Sequence, residues 1–209
     1  AEIIDEVGFP AGTFNLVQGD GPTVGAALAK HPEIQMISFT GSTRAGVQVV
    51  KNAAETVKRV TLELGGKSPN IVFSDCDLEE RVTASVIECF SNTGQSCDAP
   101  TRMLVEKSCY NEVVNIAKRA GLDQEVGDPR KEGNHIGPVF DKIQFDRVQS
   151  MIKIGLDEGA NLLVGGVGKP EGHEIGWFVK PTIFVDVDNN MRIAKEEIFG
   201  PVLVIIPFT

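Results

Sequence analysis

Short apolar runs of strand length recur along the chain, and stretches with helical periodicity separate them. This alternation limits the fold more than any other feature. Strands that alternate with helices return by helical crossovers, which gives a mostly parallel α/β sheet. Ala1 to Val7 reads as the end of an amphipathic helix, followed by a turn at Gly8-Phe9-Pro10-Ala11-Gly12. Strands are expected at Phe14 to Val17, Met36 to Phe39, Arg59 to Leu64, Asn70 to Phe73 and Met103 to Val105. Four more are expected at Leu162 to Val164, Phe178 to Val179, Ile183 to Val185 and Val202 to Ile206. Helices are expected at Pro22 to Lys30, Ser42 to Ala54, Leu78 to Phe90, Tyr110 to Ala120 and Asp141 to Glu158. Leu78, Val82, Val86 and Phe90 show the helical spacing most plainly. Ser91 to Cys97 reads as a loop, and Val126 to Val139 is rich in glycine and proline. Gly65-Gly66 lets the chain turn sharply. It divides the sequence into residues 1–65 and 66–209.

Composition narrows the function. The 209 residues carry a formal net charge of −9, which repels phosphate backbones and anionic lipid, so neither nucleic acid nor a membrane is an expected partner. No apolar run is long enough to span a bilayer. The 4 cysteines contain no C-x-x-C pair and the 3 histidines lie far apart in sequence, which argues against zinc. So few cysteines in so long a chain do not make a disulfide framework, and a reducing, cytoplasmic setting is expected. The chain begins at Ala1 without Met and stops after an apolar run, and so reads as a piece of a longer protein.

Four segments hold candidate chemistry. Asn92-Thr-Gly-Gln-Ser-Cys97-Asp-Ala-Pro-Thr-Arg102 puts a cysteine in a polar loop between a helix and a strand, where a substrate can reach it. Backbone N–H groups there can stabilise a thiolate and later an oxyanion. A free cysteine can equally be a small buried hydrophobe, the reading preferred for Cys76, Cys89 and Cys109. In Leu62-Glu63-Leu64-Gly65-Gly66-Lys67-Ser68-Pro69 a carboxylate sits between two leucines. Partial burial would make it a better base near neutrality, although an outward-facing strand glutamate has the same pattern. Phe39-Thr40-Gly41-Ser42-Thr43-Arg44-Ala45-Gly46 is a strand, a small-residue turn and a helix start, an arrangement that can bind an anion or simply turn the chain. In Lys195-Glu196-Glu197-Ile198-Phe199-Gly200-Pro201-Val202, Glu197 could grip a ribose diol and Phe199 could press on a ring; a helix closed by Gly-Pro looks the same.

Taken together and in this order, the four segments resemble the aldehyde dehydrogenase superfamily, and the resemblance runs over essentially the whole chain. The resemblance implies part of a Rossmann-like cofactor domain (residues 1–65) and most of an α/β catalytic domain (residues 66–209). It implies that Cys97 attacks an aldehyde and that the thiohemiacetal gives hydride to NAD or NADP. Water activated by Glu63 then hydrolyses the thioester. Such covalent catalysis splits one hard step into two. By the same carry-over Gly41 and Ser42 lie near the pyrophosphate, and Leu64 and Gly65 near the nicotinamide. Glu197 binds the nicotinamide ribose with Phe199 against it, and Gln144 touches a ribose. A homodimer or homotetramer is implied. Segments that the family uses for a side-chain oxyanion donor and for NAD/NADP discrimination are not found, so the 209 residues alone are expected to be inactive or nearly so. Full turnover by them at a normal family rate would refute this.

Three rival readings remain open. A CoA-acylating semialdehyde dehydrogenase generally lacks the glutamate base, against which Glu63 argues. Against a non-catalytic nucleotide-binding or structural member of the fold, intact Cys97 and Glu63 argue for the parent protein, although that reading still describes the 209 residues fairly. A thiol hydrolase would pair Cys97 with a histidine, and no such pattern can be placed here.

Overall fold

The computed structural model describes residues 1–209, and they divide into two units, Ala1–Leu64 and Gly65–Thr209. In the first unit, α1 (Glu2–Glu6) and α2 (Ala26–Lys30) precede β1 (Met36–Gly41), α3 (Thr43–Ala53) and β2 (Arg59–Leu64). β1 and β2 pair in parallel, with Thr40 opposite Glu63 and Gly41 opposite Leu64. The crossover is α3, capped by the Ser42 side chain, which accepts from Ala45 N at 3.3 Å. That bond satisfies one of the amides a helix start leaves unpaired. Gly46 of α3 brings the helix onto β2, where a Cβ would meet the Leu64 side chain at 2.9 Å. Val60, Leu62 and Leu64 are the half-buried residues of a strand whose alternate residues are exposed.

The second unit is built on a five-stranded sheet in the order β3-β4-β7-β6-β5. Its strands are β3 (Pro69–Val72), β4 (Arg102–Glu106), β5 (Asn161–Val164), β6 (Thr182–Val185) and β7 (Val202–Phe208). All neighbours are parallel except β5 and β6. The helices are α4 (Leu78–Phe90), α5 (Tyr110–Leu122), α6 (Lys142–Asp157) and the short α7 (Arg192–Lys195), which the sequence pattern does not announce. Asp77 and Asp141 cap α4 and α6, accepting from Glu80 N at 3.1 Å and Gln144 N at 2.7 Å. Central β7 is apolar without alternation because both its faces are buried, as parallel sheets require. Leu203 and Ile205 join the core beneath α4 and α5, with Val82, Val86, Phe90, Met103 and Val113. Val202, Val204 and Ile206 join the core beneath α6 and α7, with Val148, Ile152, Phe184 and Ile193. Each fully buried side chain of this size contributes roughly 1.5–3 kcal/mol.

The mixed α/β fold and its mostly parallel pairing are as the sequence pattern suggests, with three local differences. Phe14 to Val17 forms no strand; Phe14, Leu16 and Val17 are exposed, and no neighbouring strand pairs with them. Phe178 to Val179 is likewise irregular. Val179 is fully buried, so its apolar character reflects core packing, and the run ends at Pro181, which has no N–H to donate. The expected helix over Pro22 to Lys30 is two pieces, a wide turn at Gly21–Gly25 capped by Asp20 and then α2, with two glycines weakening the first part. No helix is long and apolar enough to cross a membrane.

Candidate active site

Cys97 lies in a turn between α4 and β4, closed by Ala99 N donating to Ser96 O at 3.2 Å. Its thiol is exposed, as is that of Cys76, whereas Cys89 and Cys109 are buried. The approach to the turn is tightly held. Asn92, Thr93 and Gly94 all have positive φ, of 49°, 59° and 68°. For Thr this is a strained conformation that the surroundings must enforce. The Thr93 hydroxyl donates to Gly137 O at 3.0 Å, Asn92 Nδ2 donates to Gln95 O at 2.9 Å, and Gln95 Oε1 accepts from Phe140 N at 3.0 Å. Gly94 is also where this loop touches the segment before β7, since a Cβ there would collide with the Gly200 carbonyl. The expected loop from Ser91 to Cys97 is thus a compact left-handed turn at Ser91–Gly94 with a braced exit.

That second segment, Glu197 to Pro201, is held by α6. Gln144 Nε2 donates to Ile198 O at 2.9 Å and to Phe199 O at 2.7 Å, and Arg147 Nη2 donates to Glu197 O at 2.7 Å. Gln144 and Arg147 are three apart and so share a helix face. Three successive carbonyls are thereby gripped around Phe199, whose φ is +59°. Gln144 is buried with both amide hydrogens committed, leaving only its oxygen for any ligand. Arg147 was not singled out from the sequence; the signal was a second polar residue one turn along the helix.

The Glu197 carboxylate lies against Gly65, where any Cβ would overlap it. Glycine is needed at position 65 for this approach. Burial raises the carboxyl pKa, opposed by the Gly66 backbone N–H and by the Arg147 and Lys67 charges. Glu197 Oε1 is a buried acceptor with no partner, and nearby Lys67 Nζ is a buried donor with none. Buried polar atoms of this kind call for a ligand or water. An acceptor facing a side-chain-free backbone suits the hydroxyl donors of a ribose, so the residues present fit a dinucleotide cofactor.

In the first unit, Gly41 ends β1, Ser42 follows it as the cap of α3, and Glu63 and Leu64 end β2. The parallel register sets Gly41 opposite Leu64 at the carboxyl edge of the pair, where open α/β sheets bind ligands. Glu63 was expected to be partly buried between its leucines, but it is exposed. Leu62 and Leu64 turn toward α3, so period-2 alternation turns Glu63 to the uncovered face.

The Aldehyde dehydrogenase family model matches residues 1–209. A 3-succinoylsemialdehyde-pyridine dehydrogenase from a Pseudomonas species is 55% identical over 208 residues, which cover 100% of this chain and 44% of that protein. The crystal structure of an aldehyde dehydrogenase from Bartonella henselae superposes with a TM-score of 0.97 at 53% identity, over 100% of this chain and 44% of that one. An aldehyde dehydrogenase C mutant from Pseudomonas syringae, solved with NAD+ and octanal, gives 0.97 at 51% identity, over 99% and 43%. The chain thus spans less than half the length of the relatives it matches. With the family model matched from end to end, this chain belongs to the aldehyde dehydrogenase family.

Proposed function

We propose that the protein containing these residues oxidises an aldehyde to a carboxylic acid, with Cys97 as nucleophile and Glu63 as general base. The observation that carries this reading is the exposed Cys97 thiol on a turn whose approach is braced by Thr93, Gly94 and Gln95. The thiolate adds to the aldehyde carbon to give a thiohemiacetal. The Cys97 backbone N–H donates to its oxyanion, a contribution that can reach a hundredfold or more in rate. NAD or NADP, when bound, supplies the two-electron acceptor that converts the thiohemiacetal into a thioester. Glu63 then takes a proton from water, which attacks the thioester carbon, and the acid leaves as Cys97 is released. Glu197 accepts from the ribose hydroxyls, with Phe199 against the nicotinamide ring. Gly41 and Ser42 face the pyrophosphate. The capping Ser42 accepts through its oxygen, which leaves its O–H free to donate. Leu64 and Gly65 lie by the nicotinamide. Gln144 holds the Ile198 and Phe199 carbonyls through its amide nitrogen, and its oxygen is left to accept from a ribose hydroxyl.

Relatives named for a pyridine-bearing semialdehyde and solved with octanal differ widely in the group attached to the aldehyde, so the assignment stops at the aldehyde. A homodimer or homotetramer is proposed for the whole protein.

Limiting iodoacetamide near neutral pH, followed by peptide mapping, tests the nucleophile. Cys97 should be modified well ahead of Cys76, the other exposed thiol. Equal labelling of the two would remove the case for an activated Cys97.

A further inference from the structure

Lys67 follows the Gly65-Gly66 turn and has no place in the reaction as described. The residue keeps some exposed surface, but its Nζ is buried and without a partner. A buried ammonium with no partner is costly, and such groups normally pair or lose their proton. Three other charged or titratable groups act on it. Cys89 of α4 is fully buried and its thiol is pushed up to about 12, so it is neutral at physiological pH. Arg102 of β4 repels Lys67, while its Nη2 donates to the Lys67 carbonyl at 3.1 Å and so fixes the backbone there. Glu197, before β7, attracts it. Arg147 of α6 also acts on Glu197, lowering its carboxyl pKa. Glu197 is therefore the one ionised counter-charge for Lys67, and its own buried Oε1 lacks a partner too.

We propose that Lys67 is a positioning residue for the cofactor ribose, its ammonium holding the Glu197 carboxylate ionised beside the Gly65-Gly66 backbone, where it accepts the ribose hydroxyls. The inference rests on the ribose-binding reading of Glu197. Burial alone drives Glu197 toward the neutral acid, which would lose acceptor strength, and Lys67 opposes that drift from inside the same niche. The Lys67 ammonium itself is held down to about 8 by burial, so it stays charged across the range in which Glu197 titrates.

The test is the affinity of the full-length protein for NAD+ against pH, measured by calorimetry. In the wild type, affinity falls on the acid side as Glu197 takes up a proton. Lys67→Met should move the midpoint of that fall upward by about one pH unit, a factor of about ten in affinity within the affected range. Lys67→Arg, which keeps the charge, should leave the midpoint near its wild-type place. In a Glu197→Gln background, Lys67→Met should weaken binding no further. An unmoved midpoint, or equal weakening in the Glu197→Gln background, overturns the proposal. If Glu197→Gln itself leaves affinity unchanged, the ribose reading falls and this inference with it; if Glu197→Gln weakens binding and Lys67→Met does not, only the role of Lys67 falls. Should Lys67→Met fail to accumulate as folded protein, Lys67→Gln removes the same charge and is read in the same way.

Discussion

The two units are made by the same α/β logic and differ in how much of it they complete. In Gly65–Thr209 a five-stranded sheet is covered on both faces, and residues such as Phe90, Phe184, Met103 and Leu203 are fully buried. In Ala1–Leu64 one helix crosses between two strands, and the buried residues are Ala29, Gly46 and Ala53. Phe9, Phe14, Leu16, Val17 and Val57 are exposed there. A parallel pair is an incomplete object. Its crossover covers one face, and only further strands and helices bury the other. The comparison teaches that local sequence signals can be equally clear in two regions while the packing that stabilises them is present in one.

The sharpest way to break this contrast is to separate the units. Residues 65–209 expressed alone should melt cooperatively and protect the β4, β6 and β7 amides from hydrogen exchange, whereas residues 1–64 alone should show neither property. A cooperative melt of residues 1–64 would end the comparison. The next largest effect is catalytic and also divides by unit. In the full-length protein, Cys97→Ala should abolish both acylation and turnover, a loss on the order of 10⁴-fold or more. Glu63→Gln should cost about 10²–10⁴-fold in steady-state rate while leaving a single-turnover burst. A lost burst in the Glu63 variant would show that Glu63 acts before the thioester.

Smaller still are the core truncations. Phe184→Ala in residues 65–209 should cost about 3–5 kcal/mol in urea unfolding, against a few tenths for truncating exposed Val57 in the first unit. A comparable cost at both positions would mean that Val57 has a partner not visible in this chain. The smallest effect is the pH dependence of Lys67. Burial holds its folded pKa at about 8, below the ordinary lysine value of 10.5. Between these values the unfolded chain holds a proton that the folded chain does not, so this group adds stability as pH rises through that window, and its penalty is complete below it. Relative to Lys67→Met, the wild type should gain roughly 2–3 kcal/mol between pH 7 and pH 10.5. A constant difference would place Lys67 in contact with solvent.

The strongest sequence signals were those with a period. α4 and α6 were legible from apolar spacing, and β7 from its unbroken apolar run. Phe14 to Val17 and Phe178 to Val179 misled because a short apolar run says only that a side chain prefers burial. Whether a strand forms depends on a neighbour elsewhere in the chain. At the site, residue types and order pointed to Cys97, Glu197 and Gly65. The exposure of Glu63 and the carbonyl grip of Gln144 and Arg147 could not be read from the sequence, because each depends on which face an element presents after packing.

The contact of Gly94 with the Gly200 carbonyl has a consequence for how this protein tolerates change. Any side chain at position 94 would push two loops apart and also have to adopt a positive φ. The thiol of Cys97, by contrast, supports nothing around it, being exposed on its turn. Loss of the thiol and disruption of the loops are therefore separable by single substitutions a few positions apart. A variant that has lost the sulfur keeps its shape, and with it whatever the protein does by shape alone, while a variant that has lost the glycine keeps the thiol with nothing to hold its turn in place.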